Sequence, residues 1–402
     1  LPTSTPPSPP SRPTERDRQA RLATFAIFFV QGLTFATLLT QVAVLQRKHG
    51  LSDGELTILL LIVPVIAGAG SVLAGTLTAR FGSRRILRAF QPLTCAAVVL
   101  AGLAPTVPLF MVTLALFGIS LGGVDAGMNM QGVAVERRYG RAILTGFHAL
   151  WSAAAVLGAL WASAAAELGL DLWATFAIVM APGAAVAVVA ARWLCRPEEE
   201  RTAPEATRAE TRFPWKPIIP LCLAMAFLFV GDASISNFGS VFMDKVMHAS
   251  ASVVPLALGA YQATTFLVRV GGDLAVRRYG PAAIVRIGGA VATAGFVAIV
   301  AAPTQPLAIA GFALTGIGLS VVAPQSFSAA GRLDPTGSGV AIARVNMFNY
   351  VGFIVGAALV GGIAEAADYR IAFAAPLTLA AMIILLARGF QPRTPAPASS
   401  AT

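Results

Sequence analysis

Charge is what this 402-residue chain has least of. Asp, Glu, Lys and Arg make up 12% of it, against 56% hydrophobic residues and a mean hydropathy of +0.74. A water-soluble domain carries about 25% charged residues, so this supply cannot cover the surface of a soluble protein. Cysteine and histidine are scarce too, at three each. Cys95, Cys195 and Cys222 lie in or beside apolar stretches, without the spacing of a disulfide framework or a metal site. The polar connections hold no paired carboxylates, Cys/His cluster or phosphate-cradling glycine loop, so nothing in them calls for an enzyme, a metal or a cofactor. The net charge of +10 does not read as a nucleic-acid surface, because the bases fall between apolar runs.

Long apolar runs are what is there. About 20 apolar residues cross about 30 Å of hydrocarbon. Such runs lie near 22–45, 56–79, 86–104, 108–132, 143–167, 170–194, 216–243, 252–276, 282–301, 307–330, 338–364 and 368–388. They predict an all-α membrane protein with twelve transmembrane helices. Residues 1–21 and 389–402 read as disordered cytoplasmic tails. Segment 195–215, with its mixed signs from Glu198 to Arg208, reads as a cytoplasmic linker between two halves, 22–194 and 216–388. Of the 29 Lys and Arg, Arg47, Lys48, Lys245 and Arg370 fall in the odd-numbered connections, and Arg269 and Arg344 inside spans. The rest sit in tails and even-numbered connections, which places both termini on the cytoplasmic side of a bacterial inner membrane.

The halves repeat. At an offset of 198, Arg80, Gly82, Ile86 and Arg88 match Arg278, Gly280, Ile284 and Arg286. Gly118, Ile119, Leu121 and Val124 match Gly316, Ile317, Leu319 and Val322, and Gly158 and Glu167 match Gly356 and Glu365. With one residue of slippage Gly32 and His49 match Gly231 and His248. Equal span numbers and equal orientation make these parallel repeats about an axis along the membrane normal. Such repeats put a substrate cavity between the halves near the midplane, so one chain holds a complete cavity and is expected to act as a monomer.

These residues resemble the major facilitator superfamily. Its loop signature, Gly-x-x-x-Asp-Arg-x-Gly-x-Arg-Arg, is matched by Gly75, Arg80, Gly82, Arg84 and Arg85, with Ala79 in the place of the acid. In the second half Arg277 takes the acid's slot before Arg278 and Gly280, and Asp273 stands one turn earlier, where an i,i+4 pair with Arg277 is expected. The resemblance implies that these loops gate the cavity. A narrower likeness is to the MosC-like branch, named for a rhizopine-transport protein. It is carried by Gly122 to Glu136, Phe147 to Ser152 and the pair Gly231-Asp232, although Asn237-Phe238 replaces that branch's Asp-Trp. Asp125 four residues before Asn129 is also similar to the fucose–proton symporters, in which that acid is implicated in proton coupling. The Gly-Pro of drug exporters is absent from 143–167.

A charge in hydrocarbon costs at least ~2.5–3.5 kcal/mol on insertion scales, which singles out Asp125, Asp232, Arg269 and Arg344. Asp125 and Asn129 have Ala323 and Phe327 as repeat mates, so the fold does not require polar groups there. Burial disfavours a carboxylate, and Asp125 is expected to take up and release a proton in each cycle, with His148 and Asp232 as further relay candidates; an acid paired to a base for packing is the competing reading. His148, Trp151 and Ser152 match Asn346, Asn349 and Tyr350, so equivalent faces of both halves are expected to line the cavity, with Trp151 and Tyr350 stacking on substrate. Gln31 and Thr34 on the first span, Ser236 and Asn237 on the seventh, and Tyr261 and Gln262 on the eighth complete the expected substrate set. Arg269 is expected to pair with Asp273, and Arg344 to snorkel or pair with Asp125. The leading expectation is proton-coupled transport of a small sugar- or inositol-like solute by alternating access. The alternatives are a proton-driven exporter of an amphiphilic molecule and a solute sensor that does not transport.

Overall fold

The computed structural model describes residues 13–201, 214–250, 253–254, 256–334 and 336–392. The first half comprises α1 (Glu15–Leu39), a short α2 (Val42–His49), α3 (Asp53–Phe81), α4 (Ser83–Leu103), α5 (Val107–Tyr139), α6 (Leu144–Glu167) and α7 (Leu172–Ala190). A single turn, α8 (Pro197–Glu200), leads towards the second half: α9 (Ile219–Lys245), α10 (Leu256–Tyr279), α11 (Pro281–Ala301), α12 (Gln305–Leu319), α13 (Val322–Leu333), α14 (Val340–Ala366) and α15 (Tyr369–Leu386). With α12 and α13 taken as one crossing, these are twelve transmembrane helices in two parallel six-helix repeats. Among the described residues eleven are long and apolar enough to cross a bilayer; the twelfth, α10, carries Arg269, Asp273, Arg277 and Arg278 and packs against α12 and α6.

Local sequence explains where the helices start and stop. Thr14 and Asp17 form a capping box, so α1 begins at Glu15 and not near 22. Arg16, Arg18 and Arg21 are therefore helical, a correction to the expected tail; residues 1–12 lie outside the described residues. Likewise 202–213 of the expected linker and 393–402 of the expected C-terminal tail fall outside them, while Ala387–Phe390 forms a 3₁₀ turn. Gly82 and Gly280, repeat mates, turn the chain between α3 and α4 and between α10 and α11 with φ of 81° and 79°, a region that favours glycine. The run expected at 307–330 is broken at Ser320–Val321. Pro324 has no N–H, and its ring crowds the carbonyl four residues earlier, that of Ser320. Its repeat mate is Ala126, so α5 runs unbroken for 33 residues.

Small residues set the packing. Gly122 of α5 lies directly on the carbonyl of Ala67 in α3, close enough that a Cβ would overlap it. Outward faces are apolar: Leu160, Leu267 and Leu385 are 61%, 65% and 73% exposed, as suits a lipid-facing belt. The halves meet through two pairs of helices, α3 with α14 and α6 with α10, which the repeat relates to one another. At the arginine-rich end Gly75 packs on Ala343, and their repeat mates Asp273 and Thr145 also meet.

Candidate proton and substrate site

The polar residues converge at mid-bundle. Asp125 of α5 accepts from two sides: Gln31 of α1 donates Nε2 to its Oδ1 at 3.1 Å, and Tyr350 of α14 donates its hydroxyl to Oδ2 at 2.5 Å. Gln91 of α4 in turn donates to Gln31 at 3.1 Å. The carboxyl thus holds one donor from its own half and one from the other. Asn129, one turn on, bonds the carbonyl of Asp125 at 2.8 Å and His148 Nε2 at 3.1 Å. The imidazole is boxed by Phe28 and Phe327 at 5.2 and 6.1 Å between ring centroids. On the far side Tyr261 donates to Asp232 at 2.6 Å. Arg269 crosses between the halves, donating to Ser152 Oγ at 2.8 Å and reaching the Ser320 carbonyl at 3.5 Å. Trp151 leans on Phe35 at 5.8 Å.

Exposure differs along the bundle axis. Asp125, His148, Trp151, Ser152, Asp232, Ser236, Arg269 and Asn349 are half-buried, and Asn237 and Gln262 are exposed. Towards the basic end the neighbouring turns are sealed: Asn129, Gln131, Val133, Phe327 and Ala330 are all buried. Asn346 is buried as well, donating to Ser71 at 3.0 Å, whose hydroxyl bonds the Ala343 carbonyl across the halves.

The seal at the basic end is built on the first turn of α6. Its free N–H groups take two carboxylates: Glu136 accepts from Ile143 and Leu144 at 2.9 and 3.0 Å, and Asp273 from Thr145 and Gly146 at 2.9 and 2.8 Å. Anions at a helix N-terminus are favoured by unpaired N–H groups and by the helix dipole. Glu136 belongs to the first half and Asp273 to the second, so α6 joins both. Ser328 of α13 donates to Glu136 and receives Arg332 at 2.7 Å, and Arg277 donates to the Ala142 carbonyl at 2.8 Å. Arg80 and Arg278, repeat mates, lie over Phe81 and Tyr279 at 5.2 and 5.3 Å, while Arg85 is exposed and Arg84 half-buried.

With Ala79 in the place of an acid, a linker residue serves the same turn. Glu200 accepts from the Ser83 N–H at 3.0 Å, the Ser83 hydroxyl at 3.1 Å and Gln131 at 2.8 Å, capping α4. Arg201 donates to the Ala79 carbonyl at the end of α3 at 3.0 Å. Burial pushes the Glu200 carboxyl up to about 7, even though those donors favour its charged form.

Several sequence expectations are corrected here. Asp273 pairs with neither Arg269 nor Arg277; the N–H groups of α6 hold it, and both arginines find oxygens on the other half. Arg344 does not reach Asp125 but lies over the Trp215 ring at 4.3 Å. Thr34 is sealed against α4, its hydroxyl bonded back to Val30 and beside Cys95, so it faces packing and not a cavity. Tyr350 serves Asp125 through its hydroxyl, with its ring stem beside Gly68. Sequence reasoning missed Glu136, Ser71 and Glu200. Glu136 left a signal: its repeat mate is Asp334, which caps the start of α14 through the Gly339 N–H.

Two parallel six-helix repeats meeting on a buried polar seam make the fold of a membrane transporter. The chain belongs to the Major Facilitator Superfamily, whose sequence profile matches residues 24–338 and 221–402. It is 28% identical over 90% of its length to an uncharacterized transporter, y4wD, of Sinorhizobium fredii, covering 95% of that protein. It is also 28% identical to the membrane protein MosC of Rhizobium meliloti, covering 84% of this chain and 82% of MosC, consistent with the MosC-like branch. Among solved structures, FucP in its outward conformation, the fucose:proton symporter of E. coli, matches with a TM-score of 0.75 at 13% identity, over 92% of this chain and 98% of FucP.

Proposed function

We propose that this chain is a proton-coupled carrier of a small polar organic solute of the sugar or inositol kind, working across the bacterial plasma membrane with both termini cytoplasmic. The observation that carries the reading is Asp125, whose carboxyl holds donors from both halves, Gln31 and Tyr350. As a carboxylate it can accept both bonds. Once protonated it has one acceptor fewer and becomes a donor itself, so one of its two bonds must be remade. A proton taken up on Oδ2 therefore changes what joins α5 to α14. Solute hydroxyls have partners of both kinds nearby: acceptors on Asp232, donors on Arg269, and amides on Asn237, Gln262 and Asn349, with the Trp151 ring as an apolar face. The likeness to the fucose:proton symporter supports the same reading.

The test is counterflow in proteoliposomes with inositols, amino-inositols, sugars and amphiphilic drugs, with and without a pH gradient. Asp125→Asn should keep exchange while losing acceleration by the gradient; unchanged pH dependence in that variant sinks the coupling role of Asp125. Exchange of drugs alone would point to the exporter, and no exchange at all to the sensor.

A further inference from the structure

At the basic end of α1 a cavity of about 380 Å³ is framed by Arg18, Arg21 and Arg141, with Phe25 and Tyr139 as its walls. The Arg21 guanidinium lies 5.4 Å from both the Phe25 and Tyr139 rings, and Arg141 lies 5.9 Å from the Tyr139 ring. Among the described residues no carboxylate pairs with any of the three, and Arg21 Nε is buried without a hydrogen-bond partner. Asp17, on the same helix, is occupied by Arg138 and Thr14. Three cations thus frame a space that no described carboxylate enters, and one of their buried N–H groups has no described partner.

Leu22 is shared between this cavity and a second one. An apolar groove of about 600 Å³ runs between α1 and α7, lined by Leu22, Ala26, Val186, Val189 and Trp193. Leu22, Val186, Val189 and Trp193 are exposed on the outward face of the bundle. Trp193 follows the end of α7 at the level of the arginines, the place an interfacial tryptophan takes. A hydrocarbon-sized groove continues directly from an arginine-framed cavity.

We propose that this pair of cavities binds an anionic phospholipid, with its phosphate between Arg18, Arg21 and Arg141 and an acyl chain in the groove of α1 and α7. Guanidinium groups suit phosphate through paired N–H donors, and basic pockets beside membrane helices attract anionic headgroups. The site joins α1 to the connection between α5 and α6, whose Ala142 carbonyl holds Arg277 of the second half. A lipid bound here is a brace beside the sealed end.

Binding is read by quenching of tryptophan fluorescence in detergent-purified full-length protein, with phosphatidylglycerol brominated on its acyl chains. Arg18→Gln/Arg21→Gln/Arg141→Gln should weaken binding on the order of 100-fold, at about five-fold per arginine. Arg18→Lys/Arg21→Lys/Arg141→Lys should restore most of it and controls for folding. Trp193→Phe should remove most of the quenching without changing the midpoint. Arg88→Gln/Arg286→Gln/Arg388→Gln, exposed at the same end, should bind as the parent does. Brominated phosphatidylcholine should bind far more weakly. The proposal is overturned if the glutamine triple variant binds undiminished, if the control variant loses as much, if quenching survives Trp193→Phe, or if inorganic phosphate at equal concentration displaces the lipid.

Discussion

Asp125 holds one bond within its own half, from Gln31, and one across to the other, from Tyr350. A hydrogen bond to a charged group contributes about 1.5–3 kcal/mol, so Tyr350→Phe should shift the population sealed at the basic end by about 10- to 100-fold towards opening. Double electron–electron resonance between labels at Arg88 and Arg286, exposed at the basic ends of α4 and α11, checks this as a longer distance. Glu200 gives a pH effect outside the membrane. Its folded value of about 7 lies above the ordinary 4.5, so between those values the folded state holds the proton that the unfolded chain has lost. Stability therefore falls as pH rises through that window, by up to about 3 kcal/mol, and levels off above it. The apparent melting temperature should drop between pH 5 and pH 8, and Glu200→Gln should flatten the trend. That Asp125 stands out was legible in the sequence, because a charge in hydrocarbon and an apolar repeat mate mark it. Its partners were not, because Tyr350 is 225 residues away and only the docking of the halves selects it. Arg269 and Asp273 show the converse failure. Spacing along one helix permits a pair, but the N–H groups of α6 and the hydroxyl of Ser152 satisfy both charges better from outside that helix.

Among the elements, α6 bears the most consequence. Asp273→Asn keeps the shape of the cap but removes its charge, at a cost of about 1–2 kcal/mol in a partly buried helix cap. The same pair of labels should report more of the molecule open at the basic end. Gly122→Val should disrupt α3 against α5, where the Ala67 carbonyl already fills the space a side chain needs. Overpacking of that kind costs about 1–3 kcal/mol, read as a lower melting temperature with the label distance unchanged. Spans were readable from hydropathy, whereas their ends were set by capping boxes and prolines. Thr14 with Asp17 lengthened α1, and Pro324 divided what hydropathy joined.

For the whole molecule, the offset of 198 relates the two helix pairs that meet across the halves, α3 with α14 and α10 with α6. It carries Gly75 and Ala343 onto Asp273 and Thr145, the one contact apolar and the other charged. The repeat could not show which end is sealed, because a single sequence serves every facing state. The seal follows from how Glu136, Asp273, Ser328 and Arg277 meet in three dimensions.

The division at Ser320–Val321 makes the two halves mechanically unequal. The first half carries its central strut, α5, in one stiff piece, whereas the second has an elbow. Arg269 grips that elbow at the Ser320 carbonyl and, through Ser152, the opposite half. A load applied at Ser152 is therefore delivered to this break in the helix. Bending should concentrate there, with α13 swinging against α12 while the two ends of α5 keep a fixed separation.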